Sequence, residues 1–265
     1  MSDRSETLED GWRATTPLGD TVLHGYVTGF ADWITGLGAA TGARTLHDAD
    51  VAALDVGSDF FLANGAIVRR PVRDDAWPAL VKTLRTFYDA GPGGRWIVIS
   101  AFPTPDLTGF GLERVGHPPF MIRPPGGAAR PDPDGFTVVE AHDTDTMRDF
   151  GVGIAESYPA PDAGFLEDPR VLDAPGTRCW VGYVDDRPVA TAAAHTTGAC
   201  THVEWVSAHP DVRGRGIGAA ITSRATFADP ARPSVLIASD PGRPVYERMG
   251  YLPLARFTLW MGARQ

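Results

Sequence analysis

Residues 213–218 read Arg-Gly-Arg-Gly-Ile-Gly, three glycines at alternate positions beside two arginines, and lead straight into an apolar run at helical spacing. Glycine lacks the Cβ that would hold a ligand away from the main chain. At a helix start the first amides are unpaired, and the helix dipole adds partial positive charge. A phosphate or pyrophosphate fits such a cradle, here the amides of Arg213, Gly214, Arg215, Gly216, Ile217, Gly218 and Ala219. Arg213 and Arg215 can add charge-assisted contacts or can simply lie solvated.

Two readings of this cradle compete. Gly214-x-Gly216-x-x-Ala219 fits a loose dinucleotide fingerprint, and Asp240 stands where a ribose partner would be needed. In that fold a strand runs almost directly into the first glycine, whereas His209-Pro-Asp-Val-Arg213 intervenes here. Too little chain follows Asp240 for a doubly wound sheet, and hairpins rather than parallel crossovers precede the loop.

The elements that must position the loop are legible around it. Residues 136–141 form a strand, and Asp143 is an N-cap for a helix to about residue 151. Strands follow at 179–184, 188–196 and 201–208, joined by the turns Asp185-Asp-Arg-Pro188 and Thr197-Gly-Ala199. The glycine loop leads into a helix over 215–227, then a buried strand at 234–239, a short helix at 243–249 and a last strand at 256–261. A stretch rich in proline and glycine, residues 123–135, reads as a linker, with a boundary near residue 132. Before it, helices are expected over 26–40 and 74–90 and strands over 59–68, 95–101 and 119–123. The order strand, helix, strand, short helix, strand recurs in both halves, which points to a structural repeat.

The motifs in register resemble the GNAT superfamily of acyl-CoA-dependent N-acyltransferases. Residues 213–218 match its pyrophosphate motif (R/Q-x-x-G-x-G/A), and Ala208-x-Pro210 precedes it where the family usually has V-x-P. Tyr246-Glu-Arg-Met-Gly-Tyr251 matches the closing Y-x-x-x-G-F/Y at the customary distance. The resemblance covers residues 133–265. It implies an α/β fold with a mixed, mostly antiparallel sheet, acetyl-CoA as co-substrate without a metal, and direct acetyl transfer to a primary amine of a small molecule or peptide. By position it also implies that Val206, Ser207 and Ala208 pair with the pantetheine arm, with an amide near Val206 polarising the thioester. Ser239 stands where the family often has a cofactor-binding asparagine. Tyr246 is implicated as the acid that protonates the leaving thiolate, and Glu204 as the base that takes the amine's proton.

Glu204 has two readings, a catalytic base or an exposed strand residue. If Gly198-Ala199 form a two-residue turn, Ala193 pairs with Glu204 and His195 with His202. That places His195, His202 and Glu204 on one face, as a proton relay, a metal site or ordinary hairpin residues. The segment after residues 59–68, Arg69-Arg-Pro-Val-Arg-Asp-Asp-Ala76, has no glycine. Residues 1–132 are therefore expected to be a degenerate GNAT-like unit that walls the acceptor pocket, with further acceptor residues from 156–161. A non-catalytic acyl-CoA sensor and a NAD(P)-dependent oxidoreductase are the alternatives.

Composition bounds the rest. The chain has 265 residues, 43% of them hydrophobic, with a formal charge of −9, which argues against nucleic-acid binding and for a cationic substrate. The N-terminal MSDRSETLEDGW has no apolar signal segment and no run reaches membrane-spanning length, so a cytoplasmic location is expected. Cys179 and Cys200 are expected to be reduced thiols.

Overall fold

Two strands lie in the sheet of the opposite half of the chain, and this exchange organises the molecule. The computed structural model describes residues 22–58, 60–92, 94–158 and 163–264. In chain order its elements are α1 (Val22–Thr41), β1 (Arg44–His47), β2 (Val51–Asp55), β3 (Gly65–Val68), α2 (Trp77–Asp89), β4 (Arg95–Ser100), β5 (Glu113–Gly116) and β6 (Pro119–Arg123). They continue with β7 (Thr137–Glu140), α3 (Thr144–Ser157), β8 (Thr177–Val184), β9 (Arg187–Thr196), β10 (Thr201–Ala208), α4 (Ile217–Thr226), β11 (Ser234–Ile237), α5 (Arg243–Arg248), β12 (Leu252–Arg256) and β13 (Thr258–Ala263).

One sheet has the order β1-β2-β3-β4-β13-β5 and the other β12-β6-β11-β10-β9-β8-β7. Both are antiparallel except at β3/β4 and β10/β11. This is the mixed, mostly antiparallel α/β architecture expected from sequence, and it is not a doubly wound parallel sheet. In each sheet a strand, a helix and a parallel strand are followed by a strand borrowed from the other half. Strand β13 lies antiparallel to β4 from Thr258↔Ser100 to Ala263↔Arg95, and β6 lies antiparallel to β11 from Ser234↔Arg123 to Ile237↔Phe120.

Polar locks hold both exchanged strands. Arg264 donates to both carboxylate oxygens of Asp55, at 2.7 and 3.1 Å, and Arg44 donates to Asp55 at 2.8 Å. A buried carboxylate needs this full set of partners. On β6, the Arg123 guanidinium donates to the Met249 carbonyl and lies over the Phe227 ring. The segment after β6 is strapped along α4 by Arg224 Nη2, which donates to both carboxylate oxygens of Asp132, and by the Arg130 amide, which donates to Ser223 Oγ.

Helix α1 packs between the sheets. Tyr26, Phe30, Trp33 and Leu37 join one core with Ile67 of the first sheet and Val181, Ala193 and Val235 of the second. Helix α4 covers the opposite face of the second sheet, against Ala192, Ala194, Val203 and Leu236.

Local chemistry fixes several boundaries. Asp143 caps α3 with the reciprocal Asp143–Thr146 box. The turn at Asp185-Asp186 has φ of 50° and 60°, the left-handed geometry that matches the twist of a hairpin. The strand expected over 59–68 is confined to Gly65–Val68. Residues 60–64 turn instead, because the buried Asn64 side chain accepts from the Val56 amide and donates to the carbonyls of Ser58 and Arg95; residue 59 lies outside the described residues. Strand β12, absent from the sequence reading, carries Pro253 and is an edge strand, where a missing donor costs little. Cys179 and Cys200 are buried free thiols.

Candidate functional site

The site begins at a defect in β10. This strand pairs with β11 only at Thr201↔Ser234 and His202↔Val235, and beyond that point the two diverge. On its other side β10 pairs with β9 at Ala193↔Glu204 and His195↔His202, the register expected from a Gly198-Ala199 turn. The ladder then breaks and resumes at Ser207↔Thr191. Trp205 sits in this bulge with φ of 48°, a left-handed conformation that costs a bulky residue about 1–3 kcal/mol. Three contacts sustain it. Thr191 Oγ1 donates to the Trp205 carbonyl at 2.9 Å, the Thr191 and Ser207 hydroxyls meet at 2.8 Å, and Tyr158 donates to the Val206 carbonyl at 2.9 Å.

The gap between the splayed strands opens into a cleft of about 940 Å³. Glu204, Val206, Ser207, Ala208, Arg213, Gly214, Gly216, Gly218, Ala219, Ser239 and Tyr246 all line it. Arg215 is exposed outside the lining, and the Ile217 side chain is buried under α4, so Ile217 can offer only its amide. Ser239 Oγ accepts from the Gly242 amide at the start of α5.

The glycine loop has the backbone that its composition implies. Gly214 and Gly216 have φ of 77° and 83°, and Gly216 directly precedes the first residue of α4. A Cβ at Gly214 would meet nothing within 4 Å, so the space beside its Cα is open. Arg213 and Arg215 make no ion pair among the described residues. The loop therefore presents helix-start amides and Arg213 toward the cleft, a fit for a diphosphate, although the Arg213 amide itself is not free, since it donates to the Pro210 carbonyl at 3.2 Å.

The titratable groups lie where the gap joins the two faces of the sheet. Burial pushes the Glu204 carboxyl up to about 8, offset in part by a hydrogen bond of 3.4 Å from the Tyr26 hydroxyl. Glu204 is partly exposed to the cleft and is not an outward-facing strand residue. Burial also raises Tyr246, with Tyr158, Tyr251 and Glu204 adding to the effect, so its phenol stays protonated. Tyr158 is raised to about 12, first by burial and then by the Glu204 charge. His195 and His202 share the Glu204 face but lie under α1. His202 stacks on Tyr26 at 4.9 Å and His195 on Trp33 at 5.4 Å. Burial lowers His195 to about 4 and His202 well below its usual value, so both are neutral core rings near pH 7. Among the described residues no group of three or more His, Cys, Asp or Glu side chains is arranged to hold a metal ion.

A family model described as an acetyltransferase (GNAT) domain matches residues 175–253. Among solved structures, a GCN5-related N-acetyltransferase from Kribbella flavida superposes with a TM-score of 0.64 at 19% identity, over 90% of this chain and 95% of that one. The chain has the GNAT acyltransferase fold. A GCN5-related N-acetyltransferase from Sphaerobacter thermophilus superposes with a TM-score of 0.53 at 15% identity, over 97% of each chain. A tandem GNAT protein from the clavulanic acid biosynthesis pathway gives 0.50 at 15% identity, over 89% of this chain and 94% of that one. No curated protein sequence matches significantly. Among the described residues no helix is long and apolar enough to cross a membrane.

Several lining residues escaped the sequence reading. Trp33 and Trp205 face the cleft, as do Arg130 and Arg248, whereas Tyr158, which also lines it, falls in the segment 156–161 expected to supply acceptor residues. Tyr26 reaches the site only through its hydrogen bond to Glu204. The α1 residues carried a signal, since Tyr26, Phe30, Trp33 and Leu37 recur at helical spacing. Trp205 carried none, because nothing in its type announces a bulge. Of the segment 156–161, residues 159–161 lie outside the described residues.

Proposed function

We propose that the protein transfers the acetyl group of acetyl-CoA directly to a primary amine. The observation that carries this reading is that one cleft joins an unpaired strand edge, an open glycine loop and two groups suited to proton transfer. The amides of residues 214–219 would hold the pyrophosphate, with the Arg213 and Arg215 side chains beside it. The free edge of β10 at Val206, Ser207 and Ala208 would take the pantetheine arm as an added strand. The Val206 amide would stabilise the oxyanion.

Glu204 takes a proton from the ammonium, directly or through water, and the neutral amine attacks the thioester carbonyl. A C–N bond forms as the C–S bond breaks. Tyr246 donates its phenolic proton to the leaving thiolate and recovers one from the new amide nitrogen. The neutral phenol is in the form that its role requires, whereas Glu204, protonated at neutral pH, becomes an acceptor only as pH rises through about 8.

The two halves are read as GNAT-like units divided near residue 132, the first of them degenerate and walling the acceptor side. The test is thiol release from acetyl-CoA against a panel of amines. The expected kcat/KM rises with pH to a plateau above about 8. Glu204→Gln lowers it by roughly 10²–10⁴ and Tyr246→Phe by about 10². Acetyl-CoA binding without turnover by any amine, and unaltered in both variants, would instead mark a non-catalytic acyl-CoA sensor.

A further inference from the structure

The GNAT-fold cleft has two chemically distinct sides. The α4 side carries the glycine loop with Arg130, Arg213 and Arg248. The opposite side faces α1 and the first sheet. Among the described residues this side is lined by apolar side chains, Phe30, Trp33, Ile34 and Leu37 of α1, residues 60–63, Ile97 and Ile99 of β4, and Leu259 and Met261 of β13, with Tyr158 against Phe60. The polar groups here are already bonded, the Trp33 indole N–H to Thr177 Oγ1 at 2.9 Å and the Tyr158 hydroxyl to the Val206 carbonyl at 2.9 Å. Phe61, Leu62, Ile99, Leu259 and Met261 are only partly buried, so apolar surface is left facing a concave space. Glu204 stands at the inner end of this wall, and α1 extends the wall from Phe30 to Leu37 over about 10 Å.

We infer that this side binds the body of the acceptor, and that the acceptor is a primary amine on an uncharged apolar body, an arylalkyl or alkyl amine. This rests on the acetyl-transfer reading, which puts the co-substrate on the α4 side. Among the described residues the chamber offers one carboxylate for the amine and no cation for an acceptor carboxylate. Among them it also has no free hydrogen-bonding side chains for a sugar ring. Burying a polyol or a second charge there would leave those groups unpaired. A methylene added to the acceptor would meet aliphatic wall, and its transfer from water corresponds to about a fourfold gain.

The test uses the full chain with acetyl-CoA. Across propylamine, butylamine, pentylamine and hexylamine, kcat/KM is expected to climb about fourfold per methylene. Phenethylamine should exceed phenylalanine, its carboxylated counterpart, by about 100-fold or more, with kanamycin inactive. Leu62→Asp, in the turn before β3, should lower hexylamine turnover and raise the ratio of 1,6-diaminohexane to hexylamine by about tenfold or more. Phe61→Ser, which adds no charge, should flatten the chain-length series and serves if the aspartate variant does not fold. A flat or falling series, a preference for phenylalanine or kanamycin, or a preference for octanoyl-CoA with indifference to amine length would overturn the inference. Calorimetric binding of hexylamine and phenethylamine in the presence of coenzyme A separates the two claims. Binding with no transfer would contradict the acetyl-transfer reading while supporting the chamber. Transfer to polar amines alone would do the reverse.

Discussion

The turns β10–α4 and β3–α2 occupy matching places in the two sheets, yet only the first lines the cleft. Strand β3 pairs in parallel with β4 along three of its four residues, Gly65, Ala66 and Ile67. Strand β10 pairs with β11 at only the first two of its eight residues. After β3, residues 69–73 lead through a 3-10 turn into α2, with Asp74 and Asp75 at its start. Those carboxylates occupy the helix start where a phosphate would have to sit, and they would repel it. After β10, two glycines with positive φ bring bare amides to the cleft. The same topology thus yields a closed structural seam in one half and an open site in the other. Strand separation and loop composition decide which.

The exchange of β6 and β13 couples the two regions, and the largest predicted effect comes from cutting it. Residues 133–265 expressed alone lack β6, so β11 and β12 lose the strand between them while β13 loses its sheet. This fragment is expected to be insoluble and to release no thiol; a soluble fragment with full turnover would show that the halves are independent. Next in size is Arg264→Ala, which leaves the buried Asp55 carboxylate with Arg44 as its remaining cation among the described residues. Chemical denaturation should show a loss of about 3–5 kcal/mol, with thiol release per folded molecule unchanged.

A smaller effect has an informative sign. The folded-state pKa of Glu204, raised to about 8, means that the native state holds a proton the unfolded chain releases at lower pH. This contribution to stability is complete below the unfolded carboxylate value and is lost as pH rises through about 8. Glu204→Gln should therefore gain about 1–3 kcal/mol relative to the native chain at pH 9, and much less at pH 5, in paired denaturation curves. A gain that is the same at both pH values would remove the desolvated carboxylate from the account.

Much of the C-terminal half was legible because its signals are local. Turn residues, the Asp143 cap and period-2 strands fixed β7 to β10, and the register Ala193↔Glu204 followed from one two-residue turn. The three motif segments fixed the position of the loop and of Tyr246. What stayed hidden is non-local. The Trp205 bulge depends on Thr191 of β9 and on Tyr158 just after α3, as well as on Ser207 of its own strand. The exchange of β6 with β13 leaves no trace in either strand's own pattern, since both read as ordinary half-buried strands. The short strands β1, β2 and β5 were equally invisible, being too brief for periodicity to show. The apolar chamber belongs to this class too, because residues 60–63 and 259–261 meet only through the fold.

The most direct test of the central claim is calorimetric titration of the whole protein with acetyl-CoA and with NADH, repeated on Gly216→Glu. Position 216 has φ of 83°, so a glutamate there is strained and also sets a negative charge before α4. The account predicts acetyl-CoA binding that weakens by about 100-fold or more in the variant, with no binding of NADH. Binding of NADH in place of acetyl-CoA, or acetyl-CoA binding untouched by the substitution, would contradict it.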